Sequence, residues 1–208
     1  MMTAQDKILY VANKLGLTSL KNMQASTGAV YDVDTEESGQ IFSNSTRHVN
    51  PGVANIADNQ FEVNEALLIE TVGFYGRIAD NQGTAAGMIN NLQTTYGSNF
   101  VIVYSIIIGN KRVQKDTPVF GSGSPYCFAT NAIRLTTFDE DPNDLVFAPR
   151  HQVYSEAVGI LIPPQVQFYV EYRLFNVVTG AQIPISDDAQ IGCYLYGTKV
   201  LLNFNTSI

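Results

Sequence analysis

Apolar and polar residues alternate over two long runs near the end of the chain, residues 166–178 and 190–204. In the first run Val166, Phe168, Val170, Tyr172 and Leu174 share one face, while Gln167, Tyr169, Glu171 and Arg173 share the other. A period of two places successive side chains on opposite sides of a pleated strand, so each run predicts a half-buried antiparallel strand. In the second run the inward set Ile191, Cys193 and Leu195 gives way after Gly197 to Val200, Leu202 and Phe204. That change of phase predicts a one-residue slip at Gly197, as a β-bulge produces.

Other segments follow the same logic. Residues 100–108 are β-branched and apolar on both faces, which predicts a strand covered from both sides. Residues 113–120 read as its hairpin return, with Lys111, Arg112 and Lys115 in or beside the turn. Residues 61–78 are apolar but broken by Gly73 and Gly76, predicting one or two strands bent or bulged at glycine. Residues 131–138 alternate as a further strand, and 157–162 form a short buried strand stopped by Pro163 and Pro164.

Two segments carry helical spacing instead: 3–15, capped by Thr3 and ended by Gly16, and 84–96, with Met88, Ile89, Leu92 and Tyr96. Between residues 18 and 59 the chain is polar, with only isolated apolar positions. This predicts an arm or surface-wrapping segment holding one or two short strands at most. About eight short strands separated by turns predict an all-β antiparallel sandwich of the jelly-roll kind, with a short N-terminal helix and one inserted helix. The expected division is a helix and extended arm over 1–58 and the sandwich over 59–208.

Composition sharpens this picture. Charged residues make up 15% of the 208-residue chain and hydrophobic ones 45%; Asn, Gln, Ser, Thr, Gly and Tyr fill the difference. A polar but weakly charged surface suits extended contact with other protein copies, because burying an amide costs much less than burying an ion. The net charge of −7 argues against a surface that tracks nucleic acid along its whole length. Nucleic-acid contact is left to local patches: Lys111, Arg112 and Lys115, and the seven-residue series Lys7, Lys14, Lys21. Solvated positions on a turn and on a helix face are the plainer reading of both. No basic-then-apolar leader is visible, and the apolar run at 100–108 is too short to span a bilayer, so the chain reads as soluble.

Candidate chemistry is sparse. Gly121-Ser122-Gly123-Ser124-Pro125 lacks the order of a nucleophile elbow, and neither a phosphate-binding loop nor a dinucleotide fingerprint occurs. His48 and His151 have no second metal ligand at the usual spacing. Cys127 and Cys193 sit in apolar settings and read as buried thiols, with one disulfide as the alternative. Carboxylates crowd two places. Asp139, Asp141 and Asp144 fall in one turn, where a calcium ion would be the ligand, although a solvated acidic turn is the plainer reading. Asp32, Asp34, Glu36 and Glu37 form the second group. Tyr169, Glu171 and Arg173 make an exposed stripe that would fill an interface between subunits or, in the alternative, stack on a sugar ring as in a carbohydrate-binding sandwich.

The stretches Gly159-Ile-Leu-Ile-Pro-Pro-Gln-Val-Gln-Phe-Tyr-Val-Glu-Tyr172 and Ala189-Gln-Ile-Gly-Cys-Tyr-Leu-Tyr-Gly-Thr-Lys-Val-Leu-Leu202 resemble the closing strands of jelly-roll virion proteins, those of bacteriophages in particular. The resemblance covers roughly the last fifty residues, together with the general character of the N-terminal helix and arm. It implies a non-enzymatic capsid or capsid-associated subunit, without a cofactor, assembled in many copies in the host cytoplasm. Its partners would be copies of itself and other virion proteins.

Overall fold

The computed structural model describes residues 3–17, 20, 22–34, 36–43, 54–56, 58–77, 100–118, 151–152, 159–176, 178–186 and 190–202. Over these residues the chain is an antiparallel β-sandwich with one short helix. The helix α1 spans Ala4–Lys14. The strands are β1 (Gln24–Val33), β2 (Gln40–Ile41), β3 (Glu65–Arg77), β4 (Phe100–Ile108), β5 (Lys111–Pro118), β6 (His151–Gln152), β7 (Ile160–Ile162), β8 (Phe168–Asn176), β9 (Gln182–Ile183) and β10 (Gln190–Leu201).

One sheet runs β1-β10-β3, with β6 and β7 both paired to the far side of β3; the other runs β2-β8-β4-β5, with β9 beside β8. All pairings are antiparallel. They are also nested in the chain: β4 with β5 innermost, then β3 with β6 and β7, then β2 with β8, and β1 with β10 outermost. The two closing strands, read as neighbours in the sequence, therefore lie in opposite sheets.

The inward faces meet in one core. Leu67, Ile69, Val72, Phe74, Ile191, Cys193 and Leu195 from the first sheet pack against Ile102, Tyr104, Ile106, Phe168, Val170, Tyr172 and Leu174 from the second. Phe168 stacks on Phe61 with centroids 5.7 Å apart and leans on Phe42 at 5.4 Å. Each of these large side chains contributes about 1.5 to 3 kcal/mol when removed from water.

The expected arm is part of this body. β1 pairs with β10 over ten residues, and Val30, Ile41 and Phe42 are buried in the core. The boundary drawn at 58/59 thus cuts across the sandwich. Isolated apolar positions concealed a strand because β1, at the edge of its sheet, buries only its last part; its pattern runs from exposed at Gln24 to buried at Val33.

The phase change in β10 has a different cause from the one its sequence predicts. The register slips between Tyr196 and Gly197, but the extra residue is Glu70 on β3. Accordingly the inward set on β3 moves from Leu67 and Ile69 to Val72 and Phe74. On β10 the alternation continues unbroken, and Val200 and Leu202 lie on the outer face, in a second cluster with Ala66, Leu68 and Val11 of α1. The sequence pattern shifts because a helix covers that end of the outer face.

The helix is specified locally at both ends. Thr3 and Asp6 form a capping box, with the Asp6 amide donating to Thr3 Oγ1 and the Thr3 amide to the Asp6 carboxylate. The Thr3 hydroxyl, which donates to Asp6 Oδ2 at 2.7 Å, and then the Thr3 amide hold the Asp6 carboxyl below its ordinary 3.8. At the other end Gly16 takes a φ of +68°, and Leu17 donates to the Ala12 carbonyl, closing the helix as a left-handed cap does. Thr3→Ala is expected to cost about 1 kcal/mol of helix stability, read as faster hydrogen exchange of the α1 amides with the sandwich amides unchanged. The helix docks through Val11 and Ala12, and Lys7 Nζ reaches the bulged Glu70 at 2.5 Å and Thr198 Oγ1 at 3.1 Å. The bulge turns Glu70 outward to meet the helix.

Cys193 is a buried thiol facing the core, and Cys127 lies outside the described residues. Burial, and then the Asp32 carboxylate on the adjacent strand, push its pKa well above the ordinary 9.0. Burial also raises the Tyr104 phenol above its ordinary 10.0. Both groups stay protonated when folded but ionise when unfolded, so their contribution to stability is complete below pH 9 and declines as the pH rises further. The slope is about 1.4 kcal/mol per pH unit for each group. The urea midpoint is expected to fall steadily above about pH 9, and Cys193→Ala to delay the onset by about one unit. A midpoint flat to pH 11 would contradict this. Cys193 is likewise expected to react with a maleimide only after unfolding.

Candidate functional site

The outer face of the β2-β8-β4-β5 sheet gathers most of the residues that the sequence marks for binding. β8 is buried on one side and projects Tyr169, Glu171 and Arg173 on the other. β4 lies between β8 and β5, and its register places Ile107 beside Tyr169, Ser105 beside Glu171 and Val103 beside Arg173. On its other side Ile107 pairs with Arg112. Long side chains then reach across β4. Arg112 Nη2 lies 2.5 Å from Glu171 Oε2, and Arg173 Nη2 lies 2.5 Å from Asp116 Oδ1. The Arg173 guanidinium also lies 5.6 Å from the Phe175 ring centroid.

The basic residues expected in a turn are on a strand. The turn itself is Gly109-Asn110, and Lys111, Arg112 and Lys115 are exposed along β5, the edge of the sheet. Two register irregularities interrupt β5, and Asp116 sits there with a φ of +43° while its amide donates to Ser105 Oγ. Charges and irregular pairing blunt an edge against strand addition. β4 is buried on both faces, as its composition predicts: Ile107 on the outer face is 5% exposed.

Between the ion pairs and the β2 side runs a groove of about 470 Å³, lined by Ser38, Gln40, Ser105, Glu171, Arg173 and Gln182 among others. Tyr169 is half-buried on the same face, but it does not line this groove. The three stripe residues are therefore brought together as a face and divided between two surroundings: ion pairs for Glu171 and Arg173, the neighbourhood of Ile107 for Tyr169.

The acidic group at 32–37 resolves into structure. Asp34 is buried and accepts from the amides of Glu36, Ser38 and Gly39, from Ser38 Oγ and from the Tyr172 hydroxyl at 3.0 Å. Asp32 accepts from the Phe42 amide at 3.0 Å. A cation needs oxygens that face it, and here hydrogen-bond donors occupy the Asp34 oxygens. Among the described residues no cluster of three or more potential ligands is poised for a metal. Asp139, Asp141 and Asp144, the expected calcium turn, lie outside the described residues, as do the helix expected at 84–96, the strand expected at 131–138, the serine-rich loop, Lys21 and His48. His151 is in β6, opposite Val72. Of the lysine series, Lys7 is engaged by Glu70 and Lys14 lies over the Tyr10 ring at 5.6 Å.

A second cleft, of about 340 Å³, opens at one end of the sandwich between Val30, Phe61, Leu67 and the Lys199–Glu65 ion pair of 2.9 Å. Sequence reasoning missed it. Its walls come from β1, β3, β10 and the segment before β3, which meet only in the folded chain.

These features define an antiparallel sandwich with ion pairs bridging the outer face of one of its sheets. Compared with protein-family models, curated proteins and solved structures, the chain matches none. No helix among the described residues is long and apolar enough to cross a membrane.

Proposed function

We propose that the chain is a jelly-roll virion subunit, a non-enzymatic capsid or capsid-associated protein that assembles in many copies in the host cytoplasm. The observation that carries this reading is the strand order. With β6 and β7 counted as one interrupted strand and β9 as an appendage, the nested antiparallel pairing described above supports the reading of an eight-stranded hairpin rolled into two sheets, as a jelly roll is wound. The fold alone hosts many functions. Support for a structural subunit comes from the low proportion of charged residues and from a sheet face whose charges are already paired within the chain, which lowers the cost of covering it.

Mass photometry and sedimentation of the purified chain test the proposal. Concentration-dependent assembly into defined oligomers is expected, and a strict monomer up to about 100 µM, far above the range of specific subunit contacts, would sink it. Glycan-array binding that Tyr169→Ala abolishes would instead move the assignment to a carbohydrate-binding sandwich.

A further inference from the structure

We infer that the edge of β1 pairs with β1 of a second copy, antiparallel and about a two-fold axis at Ser26, so that the β1-β10-β3 sheets of two copies join into one. The inference rests on the subunit reading above and names the edge through which copies meet.

β1 keeps an unbroken register with β10, and one further bond, from the Asp34 amide to the Ile191 carbonyl at 3.0 Å, fixes the phase of the ladder. In an antiparallel pair the residues that exchange both backbone bonds recur at every second position. The even-numbered residues of β1 therefore bond to β10, and the odd-numbered ones direct their amides and carbonyls away from the sheet. Asn55 follows this phase. Its side chain accepts from the Tyr31 amide at 2.7 Å and donates to the Ala29 carbonyl at 2.8 Å, while its own amide donates to the Tyr31 carbonyl at 3.1 Å. At the other end the Met23 amide turns back to the Leu20 carbonyl at 3.3 Å. Between these two stops, the outward amides and carbonyls of Ala25 and Thr27 have no hydrogen-bond partner among the described residues.

This window is its own complement, as a contact between two identical surfaces requires. A two-fold axis at Ser26 sets Ala25 opposite the second Thr27 and Thr27 opposite the second Ala25, so every one of those amides meets a carbonyl of the other strand. Ala29 falls opposite the second Met23. The chain ahead of Met23 is a turn, with Asn22 at a φ of +65°, so the partner strand stops short of Asn55. Free groups symmetric about one residue suit a partner strand of the same sequence. Residues 24–31 carry no charge, and two copies of a chain of net charge −7 approach here with no like charges on the facing strands. Ala25, Ser26, Thr27 and Gly28 are small enough to let the strands close to the usual spacing of about 4.8 Å. Lys199, beside Ser26 on β10, is held by Glu65 at 2.9 Å. Three strand spacings, roughly 14 Å, separate it from its counterpart, more than the screening length at physiological salt. The edge of the other sheet makes the contrast. β5 carries Lys111, Arg112 and Lys115, ends in Pro118 and is interrupted in register, the devices that keep an edge unpaired. The exposed part of β1 has none of them.

Substitution on the axis tests this on the full chain. Ser26 is exposed and faces its own counterpart at a non-hydrogen-bonded position, where side chains come closest. Ser26→Lys and Ser26→Glu each set like charges directly opposite one another and are expected to weaken self-association roughly tenfold, while circular dichroism and the thermal midpoint stay near wild type. An equimolar mixture of the two is expected to associate again, as a mixed dimer in native mass spectrometry. Recovery on mixing separates contact across the axis from any change within one chain. Thr27→Pro removes an amide that β10 does not use, which an edge strand tolerates, and is expected to abolish the pairing. Wild-type self-association in Ser26→Lys, or in a folded Thr27→Pro, would overturn this interface and leave the subunit reading intact. Charged variants that associate weakly and do not recover on mixing would overturn the axis at Ser26. A wild-type chain that is monomeric at all concentrations would overturn both readings.

Discussion

Asp34→Ala is expected to be among the most damaging single substitutions in the chain, costing about 3 to 5 kcal/mol. Asp34 is 5% exposed and accepts from donors at Glu36, Ser38 and Gly39, including the buried Gly39 amide at 2.8 Å, and from the Tyr172 hydroxyl at 3.0 Å. Removing its carboxylate withdraws the acceptor from several donors at once, and each hydrogen bond to a charged acceptor is worth about 1.5 to 3 kcal/mol. The loop also delivers β2 to β8. The Tyr172 amide donates to the Gly39 carbonyl at 2.8 Å, and Ile41 and Phe42 enter the core just beyond. Urea unfolding of Asp34→Ala is expected to show the full loss, and Asp34→Asn, which keeps one oxygen, a smaller one. Equal stability of Asp34→Ala and wild type would show that the loop is held by something else.

Gly197→Ala is the second large effect expected, a loss of about 3 kcal/mol or more. Gly197 lies in the middle of β10, opposite Gly28 on one side and the Glu70 bulge on the other. A Cβ there would overlap the Leu68 carbonyl oxygen and lie 3.0 Å from the Glu70 amide nitrogen. Both neighbours are backbone and cannot swing aside, so β3 and β10 must separate at the point where the bulge sends Glu70 to Lys7. Gly73→Ala makes an instructive contrast. Its Cβ would run into the Tyr194 ring, a side chain with other rotamers, so a smaller loss is expected. Thermal melts of the two variants check the order; Gly73→Ala as the more damaging would mean that backbone crowding at the bulge is not limiting.

Tyr194, Gly197 and Glu70 also show where sequence patterning stops being informative. The faces of β8 follow from its own alternation, because a strand with one wet side needs only local periodicity to declare itself. The burial of β4 on both sides follows from composition for the same reason. β10 is different. Its change from odd to even apolar positions reads as a slip, but the same signal arises when one end of a strand packs into the core and the other end lies under a helix. Periodicity reports which positions are dry and does not say what dries them. β1 escaped notice because an edge strand half exposed to solvent carries little apolar signal.

For the candidate site the division is similar. Tyr169, Glu171 and Arg173 were legible as an outward stripe. Their engagement with Arg112 and Asp116 was not, since these are 59 and 57 residues away in the chain and meet only because β4 inserts between β8 and β5. The acidic group at 32–37 carries the opposite lesson: carboxylates close in sequence read first as a solvated turn, and Asp34 is a buried acceptor that shapes a loop.

By itself the sequence determined the class of structure and its local devices: strands with defined inner and outer faces, a capped helix ended by Gly16, and the short buried strand at Ile160–Ile162 before the proline pair. These depend on neighbours within a few residues, where backbone geometry and solvent exposure act directly. Only the tertiary structure decided which sheet each strand joined, that β1 and β2 belong to the sandwich, that Glu70 carries the bulge, and that four charges pair across β4. Those outcomes depend on pairing between distant segments, whose free energy is set by the summed burial of two whole sheets and leaves no mark on any single stretch of chain.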